Sequence, residues 1–348
     1  MKKFGLLWGM ACCLLFCSAC GSTVETKQEK TVETKDNIQI GISFDTFVLE
    51  RWQRDRDVFV ASAQELGAEV NVQNANGDIE EQCKQIDYFI EKDVDVIVLV
   101  QVASEESQEA LHEAIKKAQK AGIYVVAYDR LILNTGVDLY ISFDNEKVGY
   151  LMARHMRAHL GEDAKILQIC GPMADYNVPQ VMEGFEKGID GSDMQILLTE
   201  HAEGWLSETG FSVTESFLEK NGKPDGIMCG NDGIAGNAVR ALSEKRMAGS
   251  VCVVGQDADL EACQRIVEGT QCMTVYKPVE QLAKRAAEMS VALAKGETIE
   301  TSTTISDGTY DVPYECLEPI AVTKENMDEV ITGKYHEESD IYLNVRNR

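Results

Sequence analysis

Residues 123–130 read Ile-Tyr-Val-Val-Ala-Tyr-Asp-Arg, six largely apolar residues closed by an acid and a base. The apolar residues follow one another instead of alternating with polar ones. That is the pattern of a strand covered on both faces, as in a parallel sheet flanked by helices. The two charges stand where such a strand would end. In open parallel sheets, ligands bind just beyond the carboxyl ends of the strands. The octapeptide therefore speaks to the fold class and also offers two candidate functional residues, Asp129 and Arg130.

The same design extends in both directions. Ile38–Ser43, Glu69–Gln73 and Asp95–Val100 read as strands, and 48–66, 79–92 and 106–120 carry helical periodicity. Further strands are expected at 139–143, 165–170, 195–201, 226–229, 251–255 and 272–276, with helices in most of the gaps. This is the α/β doubly wound pattern. So many strand–helix units exceed what one open sheet usually holds. Two sheet lobes or a closed (β/α)8 barrel would both absorb them, and periodicity does not separate the two.

The chain has 348 residues, enough for about two domains, and 44% are hydrophobic, enough for a sizeable core. Its formal net charge of -25 repels nucleic acid and anionic membrane surfaces, so neither is an expected partner. At the N-terminus, Lys2 and Lys3 precede an uncharged apolar run from Phe4 to Cys17, followed by Ser18, Ala19, Cys20 and Gly21. Residues 1–20 read as a lipoprotein signal peptide, with Cys20 lipidated. Cys17 stands where a leucine is usual, and an uncleaved membrane anchor is the alternative. Either way the body lies outside the cytoplasm, tied to the cell membrane. Residues 21–36 are polar, repeat Thr-Val-Glu-Thr-Lys at 23–27 and 31–35, and read as a disordered tether. Of 11 cysteines, four lie in the leader. The other seven are scattered without a C-x-x-C pair, so neither a disulfide framework nor a metal site is expected.

The strand ends share a chemistry. They include Ser43-Phe44-Asp45, Tyr128-Asp129-Arg130, the run Gly171–Asn177, Glu203-Gly204-Trp205, Gly230-Asn231-Asp232, Gly255–Asp259 and Tyr276-Lys277-Pro278. Sugar hydroxyls both donate and accept; Asp accepts, Arg and Lys donate, and Asn does both. A flat indole covers the C–H face of a pyranose ring. Each residue also has a plainer reading. Asp and Asn at strand ends often cap the next helix, as Asp144 and Asn145 are expected to do, and Trp205 could be core. Arg51 and Lys277 sit at helix starts, where a cation opposes the helix dipole, which favours a functional role. The rest of the charged run 50–57 reads as a solvated helix face.

Longer strings carry a resemblance. Residues 49–57 (Leu-Glu-Arg-Trp-Gln-Arg-Asp-Arg-Asp), 74–77 (Asn-Ala-Asn-Gly), 127–130, 140–149 (Tyr-Ile-Ser-Phe-Asp-Asn-Glu-Lys-Val-Gly), 255–260 and 269–278 resemble the D-xylose-binding members of the type I periplasmic binding protein family. The resemblance runs from about 38 to about 338. It implies two Rossmann-like doubly wound lobes joined by a three-stranded hinge, one lobe of 37–140 plus 277–305 and another of 141–276 plus 306–340. It implies that Arg51, Asp129, Arg130, Asn177, Asn231, Asp257 and Lys277 hydrogen-bond a sugar on which Trp205 stacks. The implied function is capture of D-xylose by hinge closure and delivery to an ABC permease, by a monomer without cofactor. A membrane-anchored sensor signalling to a receptor kinase, or a binder of another monosaccharide, are the alternatives. Around Asn177 the segment Asp175–Val181 departs from the family pattern, with Tyr176 where an Asn is expected, and the tail after Asp340 has no counterpart.

Two rival classes have little support. A barrel glycosidase would also place carboxylates at strand ends. The chain has no G-x-S-x-G, H-E-x-x-H, Walker A or G-x-G-x-x-G motif, and it reads as a non-enzyme. A sugar-responsive repressor would need a basic DNA-binding module where this chain has its leader and acidic tether.

Overall fold

The computed structural model describes residues 37–104 and 108–345. The expected leader, the lipidation site Cys20 and the tether lie outside the described residues. Within them, no helix is long and apolar enough to cross a membrane.

The first half of the chain runs β1 (Ile38–Phe44), α1 (Glu50–Glu65), β2 (Ala68–Asn74), α2 (Ile79–Glu91), β3 (Val96–Leu99), α3 (Gln108–Lys120), β4 (Tyr124–Tyr128) and β5 (Leu139–Phe143). It continues as α4 (Asn145–Leu160), β6 (Lys165–Cys170), α5 (Asn177–Ile189), β7 (Gln195–His201), α6 (Glu208–Asn221) and β8 (Gly226–Cys229). Next come α7 (Asp232–Glu244), β9 (Cys252–Gln256), α8 (Leu260–Glu268), β10 (Met273–Tyr276) and α9 (Val279–Ala294). The chain ends with β11 (Thr303–Ser306), β12 (Asp311–Leu317), β13 (Ile320–Val322) and the short helices α10 (Met327–Val330) and α11 (Glu338–Ile341).

These strands form two sheets, in the orders β11-β12-β5-β4-β3-β1-β2 and β13-β10-β9-β8-β6-β7. The fold is therefore two α/β lobes, and the single closed barrel is excluded. All pairings are parallel except the β11–β12 hairpin and β13 against β10. Parallel strands need helical crossovers, which cover both faces of each sheet. The apolar runs respond as that predicts: β3, β5, β8 and β9 are buried at every residue. Phe44, Trp52, Phe59, Leu282 and Met289 fill the layer under α1 and α9; Ile86, Phe89, Leu111 and Ile115 fill the opposite face. In the second lobe, Met152, Met156, Phe185 and Met273 pack on one face, and Phe217, Ile234 and Leu242 on the other.

Sheet membership puts the crossings between lobes after β5, after β10 and after β12. The sequence reading drew them at about 140, 277 and 305. The last differs most, because β12 does not join the second lobe. It pairs in parallel with β5, Tyr314 opposite Tyr140 through Leu317 opposite Phe143, and the two tyrosine rings stack at 4.6 Å. A strand's local pattern does not reveal its edge partner.

Helices α4 and α5 approach unusually closely. A β-carbon at Gly184 would lie 1.7 Å from the Glu146 carbonyl oxygen, and one at Gly149 would lie 1.8 Å from that of Val181. Backbone atoms cannot step aside as a flexible side chain can, so Gly184→Ala must push the helices apart. Overpacking of this kind costs about 1–3 kcal/mol. Urea denaturation of Gly184→Ala is expected to show a loss in that range, whereas Gly191→Ala, with open space around it, is expected to respond only to its positive φ of 72°.

Candidate functional site

The carboxyl ends of both sheets face one small cavity. All eight residues expected to bind a sugar line it: Arg51, Asp129, Arg130, Asn177, Trp205, Asn231, Asp257 and Lys277. Asp129 and Arg130 follow β4; Asp257 follows β9; Lys277 follows β10. Arg51 lies in the first turn of α1, Asn177 opens α5, and Trp205 ends a single 3-10 turn after β7. Asn231 has both roles considered for it. Its Oδ1 caps α7 by accepting from Ile234 N at 2.9 Å, and the residue also lines the cavity.

The cavity walls carry charges in pairs. Arg51 Nη2 lies 2.8 Å from Asp129 Oδ2, and Lys277 Nζ lies 2.8 Å from Asp257 Oδ1. Arg130 reaches Asp45 at 2.5 Å and Asp175 at 2.6 Å. All these side chains are at least nine-tenths buried. Among the cavity-wall residues, three contacts join the lobes directly. They are Arg130 to Asp175, Asn177 Nδ2 to Asp129 Oδ1 at 3.0 Å, and Arg51 to Asp257 at 3.9 Å. Removing one partner of such a pair strands the other charge in a low-dielectric site, which is costly.

Burial by itself would raise the Asp129 carboxyl, but Arg51, Lys277 and Arg130 outweigh it and hold the group below its usual range. Asp55, behind Arg51, behaves oppositely. Burial pushes it up to about 7, against the pull of Arg51 and a hydrogen bond from Tyr128.

The loop backbone is strained where these groups are presented. Asp129, Trp205, Asp257 and Ala258 have φ of 66°, 58°, 101° and 56°. Such conformations cost about 1–3 kcal/mol each and persist only where the surroundings over-determine them. For Asp129 the constraint is visible: its N–H donates to Ile141 O, and its carbonyl accepts from Tyr140 and Ser142 hydroxyls. Asp257 N–H donates to Val275 O, and Ala258 N–H to the Thr274 hydroxyl. Trp205 is held differently. A β-carbon at Gly171 would lie 2.3 Å from its ring, so only glycine lets the indole lie against that backbone. The ring packs on the core and also lines the cavity.

Several residues escaped the sequence reading. Asp55, read with the charged run as a solvated face, is instead buried, because it pairs with Arg51 and Tyr128; Trp52, which the sequence reading did not single out, is buried too, with the Arg51 guanidinium 4.3 Å and that of Arg130 5.7 Å from its ring centroid. Its place next to Arg51 on α1 was the one available signal. Asp45 and Asp175 stood in the strand-end runs but were not distinguishable there from helix caps. Asp144 does cap α4, through Lys147 N. Asn145 does not. It is the first helical residue, and its Nδ2 donates to Asn177 Oδ1 at 3.0 Å, bracing a cavity residue. Tyr176, at the position that departs from the expected pattern, packs against the apolar core of the first lobe.

Comparison with known proteins accords with this geometry. Residues 40–298 match the model of the periplasmic binding protein domain. The D-xylose-binding periplasmic protein of Haemophilus influenzae is 42% identical over 318 residues, spanning 90% of this chain and 94% of the relative. Its counterpart from Escherichia coli K12 is 40% identical, over 87% and 92% of the two chains. The crystal structure of an ABC transporter solute binding protein from Clostridium phytofermentans with bound β-D-glucose superposes with a TM-score of 0.78, at 26% identity, covering 87% of this chain and 99% of that one. The chain belongs to the periplasmic binding protein family. It is an extracytoplasmic solute-binding protein and not an enzyme.

The raised Asp55 sets a pH dependence. The folded state holds this proton more tightly than the unfolded chain, so the group's contribution is fully present below pH ~4 and is lost as pH rises through about 7. Melting temperatures of wild type and Asp55→Asn, taken at pH 5 and pH 8, are expected to shift in the variant's favour at the higher pH. A constant difference would mean that Asp55 titrates as an ordinary carboxylate.

Proposed function

We propose that this protein captures D-xylose between its lobes and, held to the cell membrane by lipidated Cys20, presents it to an ABC permease. The observation that carries the reading is the convergence of Arg51, Asp129, Arg130, Asn177, Asn231, Asp257 and Lys277, with the Trp205 ring, on one small cavity. A pentopyranose matches that set. Its hydroxyls can accept from the guanidiniums, the ammonium and the amides while donating to Asp129 and Asp257. Hydrogen bonds with an ionised partner are about twice as strong as neutral ones. The D-xylose-binding names of the two relatives support this sugar over others.

Closure follows from where the groups originate. Arg51, Asp129 and Arg130 belong to the first lobe; Asn177, Trp205, Asn231 and Asp257 belong to the second. Lys277 sits on the crossing between them. A sugar held by one set alone would favour neither open nor closed form. Only its contacts to both sets at once shift the balance toward closure. The closed form is then the signal that a permease reads.

One observation favours keeping a second sugar in view. Tyr176 puts an aromatic side chain between the lobes beside Asn177, and the solved neighbour from Clostridium phytofermentans holds β-D-glucose. Calorimetric titration with D-xylose, D-ribose, L-arabinose and D-glucose separates the cases. One-to-one binding of D-xylose far above the rest is expected. Preference for D-glucose would keep the site and change the ligand, and silence for all four would overturn the sugar reading. In the same assay Asp257→Ala is expected to weaken binding by ~1.5–3 kcal/mol, roughly 10- to 150-fold. Unchanged affinity would remove Asp257 from the site. Mass spectrometry of the purified protein tests the anchor, with diacylglycerol on an N-terminal Cys20 as the expected result.

A further inference from the structure

A second cluster of chemically capable side chains lies at the far end of the second lobe. Cys252 opens β9 and Cys272 immediately precedes β10. These are the two strands whose other ends deliver Asp257 and Lys277 to the cavity. Five strand residues at about 3.3 Å each put the cluster ~16 Å from that cavity. The neighbouring strands bring together two cysteines twenty positions apart. Helix α4 packs over them and supplies His155. One imidazole nitrogen and the two sulfur atoms all lie within 4.8 Å of one another. His155 Nε2 is buried and has no hydrogen-bond partner. Both thiols are free of disulfides.

We propose that His155, Cys252 and Cys272 form a binding site for one thiophilic divalent cation of the zinc type. The geometry suits it. Zinc binds sulfur at about 2.3 Å and imidazole nitrogen at about 2.0–2.1 Å, so ligand atoms around a tetrahedral ion lie roughly 3.5–4 Å apart. Three ligand atoms within 4.8 Å need only small side-chain shifts to reach that spacing. The donor set also selects. Two sulfurs and an imidazole suit zinc-like ions, while Mg2+ and Ca2+ require oxygen ligands. His159 lies one turn further along α4, its ring stacked on His155 at 6.0 Å. Such a neighbour can keep the ligating ring oriented.

The cluster lies at the opposite ends of these strands from the cavity, so the ion would act on the lobe and not on the sugar. It would tie α4 to β9 and β10. Binding energy spent there is folding energy, and a cation that binds only the folded lobe stabilises it.

The test uses the full chain, reduced and stripped of metal under anaerobic conditions, beside His155→Gln and Cys272→Ser. The leader cysteines are common to all three proteins, so the informative signal is the one both variants lose. Titration with Co2+ is expected to give a thiolate-to-cobalt charge-transfer band saturating at one equivalent and displaced by Zn2+. Changes around a metal's ligands already cost about 10- to 100-fold in affinity, so losing a ligand is expected to cost about 100-fold or more. Zn2+ should also raise the melting temperature of wild type but of neither variant, a comparison that stands even if a variant starts out less stable. Absence of the band in reduced wild type overturns the proposal. So does a band of equal strength in both variants. A Cys252–Cys272 disulfide in the isolated protein, with no Co2+ binding once it is reduced, would instead make the pair a redox element.

Discussion

The site rests on a single buried carboxylate. Asp129 takes Arg51 on one oxygen and Asn177 on the other, and these two partners come from different lobes. A charge so deeply buried is tolerable only when it is paired and hydrogen-bonded. The surrounding sequence supplies what it needs. Tyr140 and Ser142 hold its carbonyl, and Ile141 holds its N–H, so the left-handed backbone at Asp129 cannot relax. Arg51 is in turn set by Asp55 beneath it and Trp52 beside it. Each group narrows the freedom of the next, and together they leave few ways to satisfy the cavity wall.

That arrangement explains why the parallel α/β architecture suits a small polar ligand. Every strand in the parallel part of a sheet ends on the same side, so several loops deliver side chains to one place. Two such sheets facing each other double the supply. The charged residues begin as neighbours of their own lobe and become partners across the cleft. Arg130 illustrates this, with Asp45 from its own lobe on one side and Asp175 from the other lobe on the second. A ligand with hydroxyls on all sides can enter such a network without leaving charges unpaired.

Much of this was legible in the chain. The apolar runs identified nearly every parallel strand, because a strand covered on both faces has no need to alternate. The strand-end rule reached Asp129, Arg130, Asn177, Trp205, Asn231, Asp257 and Lys277, the helix-start argument added Arg51, and the resemblance picked out the same eight, which meet in one cavity. What escaped was whatever depends on an unseen neighbour. Trp52 sits among six charged residues in 50–57, and only packing shows that it lies beneath two guanidiniums. Asn145 has the composition of a cap and the position of a brace.

The amino-acid sequence by itself determined the element order, the doubly wound character of the fold and the chemistry available at the strand ends. These are local properties, written in periodicity and in which residue follows a run of Val and Ile. Tertiary structure decided the rest. It assigned β12 to the first sheet, brought Cys252 and Cys272 beside His155, and made partners of Asp129 and Asn177. The physical reason is common to all three. Strand pairing and ion pairing are set by distances in space between residues far apart in the chain, and a residue's own neighbours carry no record of what will fold against it.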